Sequence, residues 1–61
     1  MRCNLLKNGR IDFVELLQGA DDNGLVAQGR QIFESKGKPR GAQGFEVWNG
    51  PRLIYRWPSE H

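Results

Sequence analysis

Three patterns of apolar and polar positions divide the chain. Over residues 1–17, and again over 45–57, apolar and polar side chains follow one another with a period near two, each run interrupted by an asparagine–glycine pair, Asn8-Gly9 and Asn49-Gly50. Period two marks a strand, whose side chains point alternately to opposite faces. Asn-Gly supplies the positive-φ residues of a tight hairpin turn. Between the two runs, Leu25, Val26, Gly29, Ile32 and Phe33 recur at i, i+1, i+4, i+7 and i+8, a single apolar stripe along a helix. The expected layout is ββαββ in one domain: a hairpin over 1–17, a helix over about 22–36, a loop over 37–44, a hairpin over 45–57 and a polar tail over 58–61. The economical way to pack these elements is an α+β fold, a four-stranded antiparallel sheet with one helix on one face.

The punctuation between elements agrees with that order. Gln18-Gly19-Ala20 breaks the first hairpin, and Asp21 or Asp22 is placed to cap the helix by accepting its orphan N–H groups. Gly37 is expected to end the helix in the left-handed region. The stretch from Lys36 to Gly44 holds three glycines, one proline and three cations, so it reads as an exposed, mobile loop. Gly29 sits on the apolar stripe, where glycine costs about 1 kcal/mol relative to alanine. Its expected compensation is close approach of the helix backbone to the sheet or to a second helix; the alternative is a tolerated imperfection in a marginal domain.

Which hairpin faces the helix covers is the open question. With Asn8-Gly9 as the turn, Lys7 pairs with Arg10, Leu6 with Ile11, Asn4 with Phe13 and Arg2 with Glu15. One face then carries Met1, Cys3, Leu5, Val14 and Leu16, interrupted only by Asp12, and is expected to be buried. The other face carries Leu6, Ile11 and Phe13, and is less polar than a solvated face should be. In the closing hairpin, a turn at Asn49-Gly50 or a longer one through Pro51-Arg52 gives the same two faces. One holds Phe45, Val47 and Ile54 with Arg52 and Arg56; the other holds Trp48, Leu53, Tyr55 and Trp57 with Glu46. A helix over the first leaves an aromatic patch on open sheet, which would mark an interaction surface.

Length and composition turn these faces into candidate functions. A chain of 61 residues buries only about 60% of the surface its unfolded form exposes, and scaffolds this small usually lean on disulfides, a metal or a partner. One cysteine, Cys3, excludes an internal disulfide, and Cys3 with a lone His61 makes no metal site. No nucleophile–base set, phosphate loop or dinucleotide fingerprint is present. No enzyme, cofactor or small-molecule substrate is therefore expected. No signal peptide or membrane span is evident, and with an unpaired thiol the expected setting is cytoplasmic. Self-association follows by elimination. The candidate interaction surface is Trp48, Leu53, Tyr55 and Trp57, joined by Phe13, Ile11 and Leu6 of the first hairpin. The net charge is +2, with −1 over residues 1–29 and +4 over 30–56. That basic half suggests an alternative, single-stranded nucleic-acid binding by stacking on Trp48 and Tyr55, with Arg52, Arg56, Lys38 and Arg40 on phosphate. The small excess of cations makes it the weaker reading.

Gly19-Ala20-Asp21-Asp22, the short helix after it, and the run Phe45-Glu46-Val47-Trp48-Asn49-Gly50-Pro51-Arg52-Leu53-Ile54-Tyr55-Arg56 resemble a group of short uncharacterised bacterial proteins. Those share an N-terminal hairpin, an Ala-Asp-Asp helix start and a closing strand pair of the type Val-Glu-Leu-Trp-x-Gly-x-Arg-x-Val-x-Arg. The likeness spans nearly the whole chain. It departs from the pattern at Gly24 and Gly29 within the helix, and in a longer 36–44 connection. The resemblance implies the ββαββ layout and a bacterial cytosolic setting. It brings no activity, cofactor or catalytic residue.

Overall fold

The computed structural model describes residues 1–19 and 21–58; Ala20 of the predicted strand break and residues 59–61 of the predicted tail lie outside them. Among the described residues, strands β1 (Arg2–Lys7), β2 (Arg10–Leu16), β3 (Gly44–Asn49) and β4 (Arg52–Trp57) form one antiparallel sheet in the order β2-β1-β3-β4. Helix α1 (Asp22–Ile32) crosses one face, which gives the expected ββαββ layout. The two hairpins meet along β1 and β3, where Cys3 pairs with Val47 and Leu5 with Phe45.

Each hairpin contains one residue more than a regular ladder allows. In the first, Lys7 pairs with Arg10 and Leu6 with Ile11, but Leu5 pairs with Phe13, so Asp12 is an unpaired bulge. In the second, Asn49 pairs with Arg52 and Trp48 with Leu53, but Val47 pairs with Tyr55, so Ile54 is the bulge. The first turn is Asn8-Gly9, with φ of 55° and 76°, as a type I′ turn requires. The second is not Asn49-Gly50 but Gly50-Pro51, with Gly50 at φ 60° in the first position, the place where a type II′ turn takes glycine.

Because strand side chains alternate, the slip of one residue exchanges the two faces of β2 and of β4 beyond each bulge. This corrects the expected burial of Val14 and Leu16. They lie on the uncovered face at 48% and 79% exposure, while Phe13 turns toward the helix and packs on the core. The expected Arg2–Glu15 pair does not form: Arg2 stands opposite Leu16, and Glu15 binds Lys36 at 3.3 Å on the helix side. In β4, Tyr55 and Trp57 come to the helix side, where the Phe33 ring packs tilted against Trp57 at 5.3 Å between centroids and Phe45 against Tyr55 at 5.7 Å. The core therefore consists of Cys3, Leu5, Leu17, Leu25, Phe33, Ala42, Phe45 and Val47, with Phe13, Ile32, Ile54 and Tyr55 packed around it. Burying one such large side chain is worth about 1.5–3 kcal/mol, so Phe45, Leu5, Leu25 and Val47 dominate.

The helix starts as expected. Asp21 is its cap, its Oδ1 accepting the Gly24 N–H at 2.8 Å. It does not stop at Gly37. The chain widens into a π turn over Phe33–Gly37, in which the Lys38 N–H donates to the Phe33 carbonyl, and ends in an α turn over Lys38–Arg40. Gly41, at φ 86°, is the left-handed cap. The connection expected as a loop over 37–44 is thus helical to Arg40, with only residues 41–43 left to reach β3. Pro39 has no N–H, and in a regular α ladder its ring would crowd the carbonyl four residues back. The wider turn lets the chain pass it. Gly37 is buried for packing, not turning, since a Cβ there would lie 2.9 Å from Phe33 Cδ1 and 3.3 Å from Leu5 Cδ2.

Gly29 sets the distance between the layers. A Cβ at this position would stand 2.6 Å from Val47 Cγ2 and 3.5 Å from Cys3 Sγ. Helix propensity favours alanine there by about 1 kcal/mol, but overpacking a core typically costs about 1–3 kcal/mol. Gly29→Ala is accordingly expected to lower the unfolding free energy in a urea titration. An increase of about 1 kcal/mol, the propensity increment alone, would show that the helix does not lie this close to the sheet.

Candidate interaction surface

The face of the sheet opposite the helix is made of three rows, read across the strands from the registers. The first is Leu16, Arg2, Trp48 and Leu53; the second is Val14, Asn4, Glu46 and Arg56; the third is Ile11, Leu6 and Gly44. Exposed apolar side chains stand at its margins: Leu16 and Val14 on β2, Ile11 beside the first turn at 57% exposure, and Leu53 on β4 at 43%.

Past Val14, the middle row is polar and partnered from within the chain. Glu46 Oε1 accepts from Trp48 Nε1 at 3.0 Å and from Asn4 Nδ2 at 3.3 Å, while Arg56 lies 3.7 Å from Oε2. Arg2 lays its guanidinium over the Trp48 ring, 5.1 Å from the centroid, and donates to the Gly50 carbonyl at 3.3 Å. Cation–π contact and a carbonyl bond together hold Arg2 flat on the face. Asn4 is 3% exposed, and its Oδ1 is buried with no donor among the described residues. Near the end of the face, a shallow hollow of about 220 Å³ opens between Leu6, Arg56 and Pro58.

The seven residues expected to form one surface divide between the two faces. Trp48, Leu53, Leu6 and Ile11 are together on the open side. Phe13, Tyr55 and Trp57 are on the helix side, with Phe13 and Tyr55 half-buried on the core. The same bulges that moved these three away brought Val14 and Leu16 in. Sequence reasoning placed those two in the core, although Asp12, a lone charge on the face expected to be buried, was a signal that the register slips near it.

The cations proposed for phosphate are dispersed and neutralised. Arg52 holds Asp22 at 3.2 Å, Lys38 holds Glu34 at 2.8 Å, Arg40 holds Asp12 at 3.1 Å, and Arg56 lies beside Glu46. Exposed pairs of this kind are each worth about 0–1 kcal/mol, so they orient side chains more than they stabilise the fold. Arg30 is also engaged, donating to Tyr55 Oη at 3.2 Å across the Phe45 and Tyr55 rings.

Cys3 lies beneath the helix, fully buried, with Sγ 3.9 Å from the Gly29 carbonyl. Burial, and secondarily the Glu15 carboxylate, push its thiol pKa from 9.0 up to about 11. Among the described residues no group of three or more His, Cys, Asp or Glu side chains could hold a metal ion, and no helix is long and apolar enough to cross a membrane. Comparisons with protein-family models, curated proteins and solved structures find no match for this chain.

The thiol makes a pH test of its own. A folded-state pKa above the unfolded one means that the unfolded chain loses its thiol proton first, so stability falls as pH rises from about 9 to about 11. In paired urea titrations Cys3→Ala is expected to flatten this decline relative to the parent chain. Identical slopes in the two proteins would show that the thiol ionises alike in both states.

Proposed function

We propose that the chain is a small, non-enzymatic interaction module of the bacterial cytoplasm that associates with itself through the sheet face opposite the helix. The observation that carries this reading is the set of large apolar side chains left exposed on that face, Leu16, Ile11, Val14 and Leu53, in a chain whose one helix covers only the other side. Apolar groups gathered on one face are the usual mark of a surface that is covered in its working state. A second copy would supply the buried area that so short a chain cannot reach alone. The bacterial and cytoplasmic parts of the reading rest on the resemblance of the helix start and closing hairpin and on the unpaired thiol.

The single-stranded nucleic-acid reading draws less support. Trp48 and Tyr55 stand on opposite faces and share no stacking platform, and each of the four cations proposed for phosphate already faces a carboxylate. Sedimentation equilibrium over a range of micromolar concentrations separates the two. A mass of twice the monomer at the high end is expected, and Leu16→Lys should return the chain to monomer with an unchanged far-UV circular dichroism spectrum. A monomer throughout, with tryptophan fluorescence quenched by a short oligonucleotide at low salt, would reverse the choice.

A further inference from the structure

The two edges of the sheet are unequally guarded. β4 is bracketed by Pro51 and Pro58, is kinked by its bulge at Ile54, and exposes Arg52 and Arg56. Prolines, bulges and charges are the usual means by which a free edge is kept from pairing with another chain. β2 has its bulge at Asp12, close to the turn, and from Phe13 to Leu16 it runs regular and without proline. Its backbone also has groups to offer there. Leu17 donates its N–H to the Met1 carbonyl at 3.0 Å, and alternate pairs of an antiparallel ladder repeat that bonding. Cys3–Glu15 and Leu5–Phe13 are therefore the inward-bonded pairs, and the N–H and C=O groups of Val14 and Leu16 turn to the outer edge. These are the same two residues whose apolar side chains stand exposed on the open face.

Resting on the self-association proposed above, we propose that the contact between copies is made along this edge, β2 against β2, antiparallel about a dyad at Glu15. In this register the backbone of Val14 bonds that of Leu16 in the second copy, and the reverse. Val14 and Leu16 side chains form two cross-strand apolar pairs on the open face. Glu15 faces its own counterpart across the dyad on the helix side, and two bare carboxylates there would oppose pairing. Lys36, 3.3 Å from Glu15 within each copy, brings one cation per carboxylate to the same spot. A dyad at Val14 instead sets Asp12 against Leu16, a charge against an apolar side chain. The Glu15 dyad keeps both helices on one side, so the two four-stranded sheets continue into each other and their open faces join.

Residue-resolved amide exchange of the parent chain, compared at dilute and concentrated protein, tests this directly. The Val14 and Leu16 amides are expected to slow on concentration. Val14→Pro, which removes an N–H that no bond within the sheet uses, should weaken association by about tenfold or more without altering far-UV circular dichroism. Lys36→Gln should weaken it severalfold. Association with unchanged Val14 and Leu16 exchange, abolished by Leu53→Lys, would overturn the edge pairing and leave face-on self-association standing. A monomer at every concentration would overturn both.

Discussion

One extra residue in the second strand of each hairpin decides what this small sheet shows to its helix and what it shows to the outside. Side chains on a strand change face at every step, so the unpaired Asp12 and Ile54 invert everything that follows them. Beyond the first bulge, Phe13 goes under the helix end and Val14 and Leu16 go out. Beyond the second, Tyr55 and Trp57 go under, close to Phe45 and Phe33. The two hairpins are alike in this: a two-residue turn, two regular pairs, then the bulge. They are also joined antiparallel, with Asn4 opposite Glu46 at the middle of the β1–β3 seam. The sheet is thus an approximate pair of equivalent halves, and the polar contact of Asn4 with Glu46 lies at its centre.

A sheet arranged this way needs a helix that can sit low on it. Gly29 permits that over Val47, and Gly37 does the same over Leu5. The π turn between them carries the chain past Pro39 and brings Lys36 to Glu15 and Arg40 to Asp12, so the bulge residue is itself held by the helix end. Asp22 at the start of the helix binds Arg52 at the start of β4. These exposed ion pairs add little stability. Their effect is orientational: they tie both ends of the helix to the edge strands, while the aromatic and aliphatic core supplies the driving force.

Much of this was legible in the residues. The layout, the Asn8-Gly9 turn, the Asp21 cap and the close approach at Gly29 follow from periodicity, turn chemistry and the penalty of an internal glycine. The bulges were not legible, because neither Asp12 nor Ile54 belongs to a residue type that demands one. The hints were indirect: a charge on the face expected to be buried, and Leu6, Ile11 and Phe13 crowding the face expected to be solvated. The length of the helix was misread for a related reason. Gly37 and Pro39 are punctuation in isolated peptides, but here the glycine makes room for Phe33 and the proline sits in the first turn of a new α segment, where its missing N–H matters least. The candidate surface inherited the error of the faces. Four of its seven expected residues share the open side, and Val14 and Leu16 replace the three that do not.

The bulges therefore control both the core and the surface offered to a partner, and their direct test is a set of through-space proton contacts. In a nuclear Overhauser spectrum recorded at low concentration, the Tyr55 ring should show contacts to Arg30 and Phe45, and the Trp57 ring to Phe33, while Val14 and Leu16 methyl groups show none to the helix. Contacts from Val14 or Leu16 to Leu25, Ile32 or Phe33 would place the regular, unbulged faces under the helix and contradict the arrangement described.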